Sequence, residues 1–510
     1  MSSGTHRRLD LKEVFTKKEQ KMKLGKLSLA AVAIIGLTAS AQAALKSDKI
    51  TLKPNMMIKY NKLPAPVDNI KDAFTEGMFY GRIRMNAFNW DWKDESYKTG
   101  GKTKDNHAMG IGASLIYKSA PLAGVSGTLG LYTSQNPNFA NMDKADVKFV
   151  KAGKDTFSRD DVTSTNHYGL TVVAQAYLQY DIGKTTIIGG RQMFESVFTA
   201  SNDTKMIPNT FDGGSVTIKD IPKTTISLAY FTAQKLRDHA TSHDVLAFGA
   251  GTSGGKWSEN DDAAVNKSLT VARIGDSNKL IIGSVTNKSI KNLKVNVSGM
   301  MVPDVVSNLT LQAFYTIPVG EKWKIIPGVR YMQQFDNLGA NYGVANLKAK
   351  ATTGNARGYN DVTSLDTSLL ALRLDIKNGA FLGRLGYSHI ADKADIIAPW
   401  RGFATGGFTR AMAQYNWYAN TTTYMARVGY DFDKENIIPG FSAMLRYAIQ
   451  DFDDVKTAAG SVQSDSNVIH LDLRQHVSND LELKFRMGLV DAKADKDSYN
   501  EYRVELNYFF

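Results

Sequence analysis

From residue 79 to the C-terminus, apolar and polar side chains alternate with a period of two. The last run, Tyr499 to Phe510, places Tyr502, Val504, Leu506, Tyr508 and Phe510 on one face and Arg503, Glu505 and Asn507 on the other. Residues 480–491 set Leu481, Leu483, Phe485, Met487 and Leu489 against Glu482, Lys484, Arg486 and Gly488. Residues 439–451 set Phe441, Ala443, Leu445, Tyr447 and Ile449 against Ser442, Met444, Arg446 and Gln450. Residues 420–432 set Tyr424, Ala426, Val428 and Tyr430 against Arg427 and Asp431. Residues 166–181 set Tyr168, Leu170, Val172, Ala174, Ala176, Leu178 and Tyr180 against His167, Thr171, Gln175 and Gln179. Period two predicts β-strands. A soluble sheet would turn its apolar face to a core. In the final run that face begins and ends in aromatics, the pattern of a lipid-facing strand between two interfacial girdles, and about 9–11 tilted residues suffice to cross a bilayer.

The connections alternate short and long. Short ones fall at 118–124, 181–184, 222–223, 288–292, 317–322, 377–378, 432–439 and 477–479. Long ones cover 93–107, 135–165, 194–213, 235–278, 302–307, 336–363, 391–419, 452–465 and 492–498. Between them lie strands at 79–92, 108–118, 124–134, 166–181, 184–193, 214–221, 224–234, 279–287, 293–301, 308–317, 323–335, 364–376, 379–390, 420–432, 440–451, 466–476, 480–491 and 499–510. That count is eighteen, with both chain ends on the turn side, although alternation alone leaves the division within 214–288 ambiguous. Residues 268–275 have no partner strand and are assigned to a loop. The prediction is an all-β, transmembrane antiparallel barrel over 79–510, preceded by an N-terminal periplasmic segment at 44–78. A soluble propeller or solenoid would show a repeat of about 20–50 residues, and none is visible.

Composition changes this picture little. The chain has 510 residues, no cysteine, and a mean hydropathy of −0.27. It offers neither a disulfide scaffold nor a cysteine-ligated metal site. The net charge of +12 is partly a leader. Lys21, Lys23 and Lys26 precede the apolar run Leu27 to Ala39, which ends in Ala41-Gln42-Ala43. These are the parts of a secretory signal peptide, too short to span the hydrocarbon. Translation from Met22 would also include all of them. Cleavage after Ala43 removes eight basic and three acidic residues, so +12 falls to +7. Export argues against a nucleic-acid partner.

Opposite to the lipid face lies the lumen. The arginines with that parity are Arg82, Arg84, Arg191, Arg330, Arg373, Arg384, Arg427, Arg446, Arg474, Arg486 and Arg503, with fewer acids, Asp375, Asp472, Glu482 and Glu505. An arginine facing mid-bilayer lipid costs about 2–4 kcal/mol, which forces this orientation. The ladder lends itself to binding anions or carboxylates; a salt-bridged wall is the plainer reading, and the two are compatible. The loop Gln192 to Gly214 is the expected constriction, with Glu195, Asp203, Lys205, Pro208 and Asp212. A plain surface loop is the alternative.

The segments DAFTEGMFYGRIRMNAF (Asp72 to Phe88), GGRQMF (Gly189 to Phe194) and NDTKMIPNTFDGG (Asn202 to Gly214), followed by a terminal YFF, resemble the OprD family of substrate-specific outer-membrane porins. The resemblance implies an eighteen-stranded barrel, a third loop narrowing the pore, a basic ladder, trimers in some members, and uptake of small carboxylate-bearing solutes. Where that loop commonly reads Arg-Leu-Leu-Pro, this chain has Lys205-Met206-Ile207-Pro208, which keeps the charge and loses the guanidinium fork. Tyr508 and Phe510 match the C-terminal signature read by the barrel assembly machinery, and lipid and lipopolysaccharide would surround the wall.

Other signals are weaker. Asp238-His239-x3-His243-Asp244 has the spacing of a metal site on a helix, but in a long loop it reads as solvated surface. Asp451, Asp453 and Asp454 read as a solvated loop base. No P-loop lysine follows Gly249-x-Gly251 and no nucleophile motif surrounds any serine. The expected function is passive diffusion of small hydrophilic solutes across the Gram-negative outer membrane, without cofactor, metal or covalent chemistry. An outer-membrane barrel lipase or protease, and an adhesive barrel with a closed lumen, are the alternatives.

Overall fold

In the computed structural model residues 47–510 are described, apart from 54–56, 96–102, 151–152, 154, 204–205, 246–278, 338–350, 352–353 and 413. The expected leader, the segment 268–275 and Lys205 lie outside the described residues. The chain forms β1 (Met78–Trp92), β2 (Asn106–Lys118), β3 (Val125–Gln135), β4 (Gly169–Ile182), β5 (Thr185–Gln192), β6 (Thr210–Ile218), β7 (Thr224–Lys235), β8 (Leu280–Asn287) and β9 (Leu293–Val302). It continues through β10 (Val306–Tyr315), β11 (Trp323–Asp336), β12 (Thr367–Asn378), β13 (Phe381–Ile390) and β14 (Thr422–Asp431). The last strands are β15 (Phe441–Asp451), β16 (Ser466–His476), β17 (Leu481–Ala492) and β18 (Tyr499–Phe509). Each pairs antiparallel with its neighbours, and β18 closes on β1 with Phe509 opposite Arg82. A short piece, Ile317–Val319, extends β10 beyond a break at Thr316 and pairs with β11. The wall is therefore a closed barrel of eighteen strands.

Closure explains the alternation. In a closed barrel the strand backbones pair with their neighbours on both sides, so the lipid side need carry only apolar side chains. Leu129, Leu228, Leu309, Leu385, Leu445 and Ile449 are exposed outward, whereas Arg82, Asn86, Gln175, Asp375 and Glu505 are buried inward.

Three local predictions are corrected. Leu170, Val172 and Ala174 point inward and are buried, while Thr171 and Val173 face out. The register shifts between Gly130 and Leu131, which face Gln175 and Val173, so Ala174 is an extra residue. A bulge inverts parity on one side of itself, and Ala176, Leu178 and Tyr180 beyond it keep the expected lipid face. Strand β6 begins at Thr210 rather than 214, which shortens the preceding loop to 193–209. The loop-side link between β9 and β10 is only 303–305.

The largest apolar cluster lies inside the barrel. Phe194 and Phe198 from loop 193–209 and Trp400, Phe408 and Trp417 from loop 391–421 pack with Phe211, Phe231, Met300, Met332 and Ile390 of the wall. Before β1, a hairpin pairs Ile50–Leu52 with Ile58–Tyr60, and helix α1 (Ile70–Thr75) follows, capped by the Asn69 side chain on the Asp72 amide.

Candidate functional site: the lumen and two loops that meet in it

Loop 193–209 is anchored at Asp203. Arg82 donates to its carbonyl at 2.7 Å and to its carboxylate at 2.6 Å, and Arg84 donates to the same carbonyl at 3.1 Å. Tyr132 adds a hydrogen bond at 3.2 Å. All three charged side chains are fully buried. Arg82 and Arg84 thus keep the expected inward parity but clamp the loop instead of lining open lumen. The remaining loop positions differ in role. Glu195 accepts the Ser201 amide at 2.8 Å, and burial pushes its carboxyl up to about 7. The Pro208 carbonyl accepts from Lys235 at 3.1 Å. Asp212 belongs to β6, not to the loop, and pairs across the sheet with Arg191 through bonds of 2.7 and 3.0 Å.

A second loop, 391–421, reads in the sequence only as one long connection. It meets the first: the Gly402 amide donates to the Phe198 carbonyl at 2.9 Å, and the Ala200 amide to the Trp400 carbonyl at 3.2 Å. Its carbonyls also take up the arginine row. Arg330 donates to Ala404 at 2.5 Å, Arg373 and Arg384 to Gly407 at 2.9 and 2.7 Å, and Arg446 to Arg410.

These elements surround a cavity of about 1520 Å³, lined by Arg330, Arg373, Arg427, Arg446, Arg474, Arg486 and Arg503 among others. Most of the row is matched by acids. Asp375 holds Arg384 at 2.6 Å and Arg373 at 3.5 Å, Glu482 holds Arg474 at 3.2 Å, Asp472 holds Arg486 at 2.7 Å, and Glu501 holds Arg503. Arg330 is satisfied by Gln312 and a carbonyl. Arg427 and Arg446 form no ion pair with a carboxylate among the described residues, nor does Arg410 of the second loop, whose guanidinium lies 3.4 Å from the centre of the Phe403 ring. Burial, and then the nearby Arg446, Arg503 and Arg486 charges, lower the Arg410 pKa to about 9. The inner wall is therefore a salt-bridged frame enclosing three guanidinium groups, of Arg410, Arg427 and Arg446, that form no carboxylate ion pair among the described residues. Strand parity could locate Arg427 and Arg446; Arg410 sits in a glycine-rich loop where parity has no meaning.

Asp238 and His239 are buried rather than solvated, and burial lowers His243 to about 4. Asp453 caps a short helix, Asp454–Ala458, and accepts from Asn420 at 2.7 Å. No cluster of three or more potential metal ligands occurs among the described residues.

A family model described as outer membrane porin, OprD family, matches residues 151–510. None of the curated proteins matches the sequence. Among solved structures, Pseudomonas aeruginosa OpdK with vanillate is 13% identical, with a TM-score of 0.64, over 86% of this chain and 99% of that one. A BenF-like porin from Pseudomonas fluorescens Pf-5 is 14% identical, with a TM-score of 0.64 over the same shares. Acinetobacter baumannii OccAB4 is 16% identical, with a TM-score of 0.63, over 85% and 98%.

Proposed function

The chain belongs to the OprD family of outer membrane porins, and from that premise we propose that its lumen is a passive path favouring small anionic, carboxylate-bearing solutes. The porin class and the Gram-negative outer-membrane location follow from the family. Solute preference rests on one observation: Arg410, Arg427 and Arg446 face a common cavity, and none of the three forms an ion pair with a carboxylate among the described residues. A desolvated guanidinium is favoured by an anion that brings its own charge, and its planar fork suits a carboxylate. Vanillate, bound in the OpdK structure, is such a solute.

Loop 193–209 is the constriction in this reading, held by Asp203, with Glu195 and Lys205 contributing charge. Catalysis has no part in it. Tyr508 and Phe510, exposed at the end of the wall, serve as the assembly signal, lipopolysaccharide surrounds the outer face, and the trimeric assembly of some family members is the expected state. Reversal potential under a salt gradient tests the preference. Anion selectivity that falls in an Arg427→Gln, Arg446→Gln double variant is the expected result, and cation preference in the unaltered protein would overturn it.

A further inference from the structure

The geometry points to the N-terminal hairpin as a cationic plug seated in the turn-side half of the lumen, where it restricts current and adds to anion selection. This rests on the porin reading and concerns residues before the first barrel strand. Ile50 and Leu52 are buried in one cluster with Tyr80, Ile116 and Tyr132 of the inner wall and with Met206 and Ile207 next to the Asp203 clamp. Tyr80 and Tyr132 share the inward parity of Arg82 and the loop anchor. The Tyr60 ring stands 4.8 Å from that of Tyr80, and the Lys118 ammonium lies 4.7 Å from its centre. Met57, just before the second strand of the hairpin, borders the main cavity.

Two three-residue strands cannot hold together in water on their own. The hairpin owes its order to the wall that buries Ile50 and Leu52. Its attachment is also of a releasable kind. Its backbone bonds, Lys53 to Met57 and Asn61 to Lys49, are internal. The wall is reached through side chains, by the rings above, by Tyr80 donating to the Lys62 carbonyl at 2.6 Å, and by Lys49 donating to the Phe79 carbonyl at 3.4 Å. The clip to the barrel rim comes later, where the Val67 amide donates to Pro121 at 2.9 Å. Residues 47–62 can therefore leave while 67 onward stays fixed. Lys53 and Lys59 are exposed on the hairpin, which gives the plug its positive charge.

The natural lack of cysteine permits a clean test in planar bilayers. Deletion of residues 44–62 is expected to raise unitary conductance and lower the anion-to-cation permeability ratio. Lys59→Cys in the full chain, treated with a negatively charged methanethiosulfonate from the turn side, is expected to lose anion selectivity and change its current in steps. A folded deletion variant with unaltered conductance overturns the plug. So does a labelled Lys59→Cys variant with unaltered current, which decides the matter should the deletion not fold. Conduction only after deletion supports it. Silence of both proteins removes the porin reading and the plug together, whereas normal currents indifferent to the hairpin remove the plug alone.

Discussion

Asp203 joins parts of the chain that are 121 residues apart. Breaking a buried ion pair from one side leaves the partner charges uncompensated, at a cost of about 3–5 kcal/mol. Asp203→Ala is therefore expected to lower the unfolding free energy by roughly that amount, seen as an earlier midpoint in chemical denaturation, and to make single-channel current noisier as loop 193–209 loosens. Glu195 makes a different prediction. Its folded pKa, about 7, lies above the ordinary value of 4.5 because burial, helped by nearby Asp203, disfavours its charge. The folded protein then binds a proton that the unfolded chain has released, so Glu195 contributes stability below pH 4.5 that is lost as pH rises through 7. Beside the cavity, its ionisation adds negative charge. Anion selectivity is expected to fall between pH 6 and 8, roughly a unit either side of that pKa, and Glu195→Gln is expected to flatten the profile. Both residues stand out in the sequence as loop charges. Their partners do not, because a hydrogen bond to Arg82 or to the Ser201 amide depends on where the loop lands.

Strands β5 and β6 show how tightly the wall is built where that loop leaves and returns. Gly190 and Gly213 face each other in register with φ of +125° and +151°, and a Cβ on either would strike a backbone carbonyl. Gly189, their neighbour, has open space at that position. Gly190→Val or Gly213→Val is expected to reduce the folded, heat-modifiable band on a gel severely, while Gly189→Ala leaves it unchanged. Hydrophobic alternation locates most strands to within a few residues, since each side chain senses only lipid or lumen. It fails where backbone geometry intervenes. The bulge at Ala174 adds a residue that no period-two pattern reveals. The run Thr210-Phe211-Asp212 begins β6 against an internal apolar cluster, so it does not alternate as a lipid-facing strand does. The inturned loop 391–421 is illegible for a related reason. Its Phe408 and Trp417 are buried by other loop and wall residues, not by a periodic neighbour.

For the whole molecule, the barrel is a partition between two solvents, and its stability depends on which one each residue meets. Leu445 faces outward, half exposed, while its neighbour Met444 lines the cavity. Leu445→Arg is expected to cost about 2–4 kcal/mol of membrane-folded stability, measured by urea titration in lipid vesicles, whereas Met444→Arg is expected to cost little and to increase anion selectivity. Closure also requires that β18 meet β1. Gly81 exchanges two backbone hydrogen bonds with Phe510 and leaves space for its ring, which a Cβ at that position would overlap.

What the sequence determined alone was the partition: the barrel class, most of its strands, and the lipid and lumen faces wherever no bulge intervenes. Each follows from near-neighbour physics, in which period-two alternation meets a medium that rejects charge on one side only. The tertiary structure decided which arginines are already neutralised by acids, that Arg82 and Arg84 serve as a clamp, that a second loop brings Arg410 to Arg446, and that a hairpin from the N-terminal segment lies against the inner wall. These depend on contacts between distant parts of the chain inside a closed cylinder, where geometry rather than periodicity selects the partner.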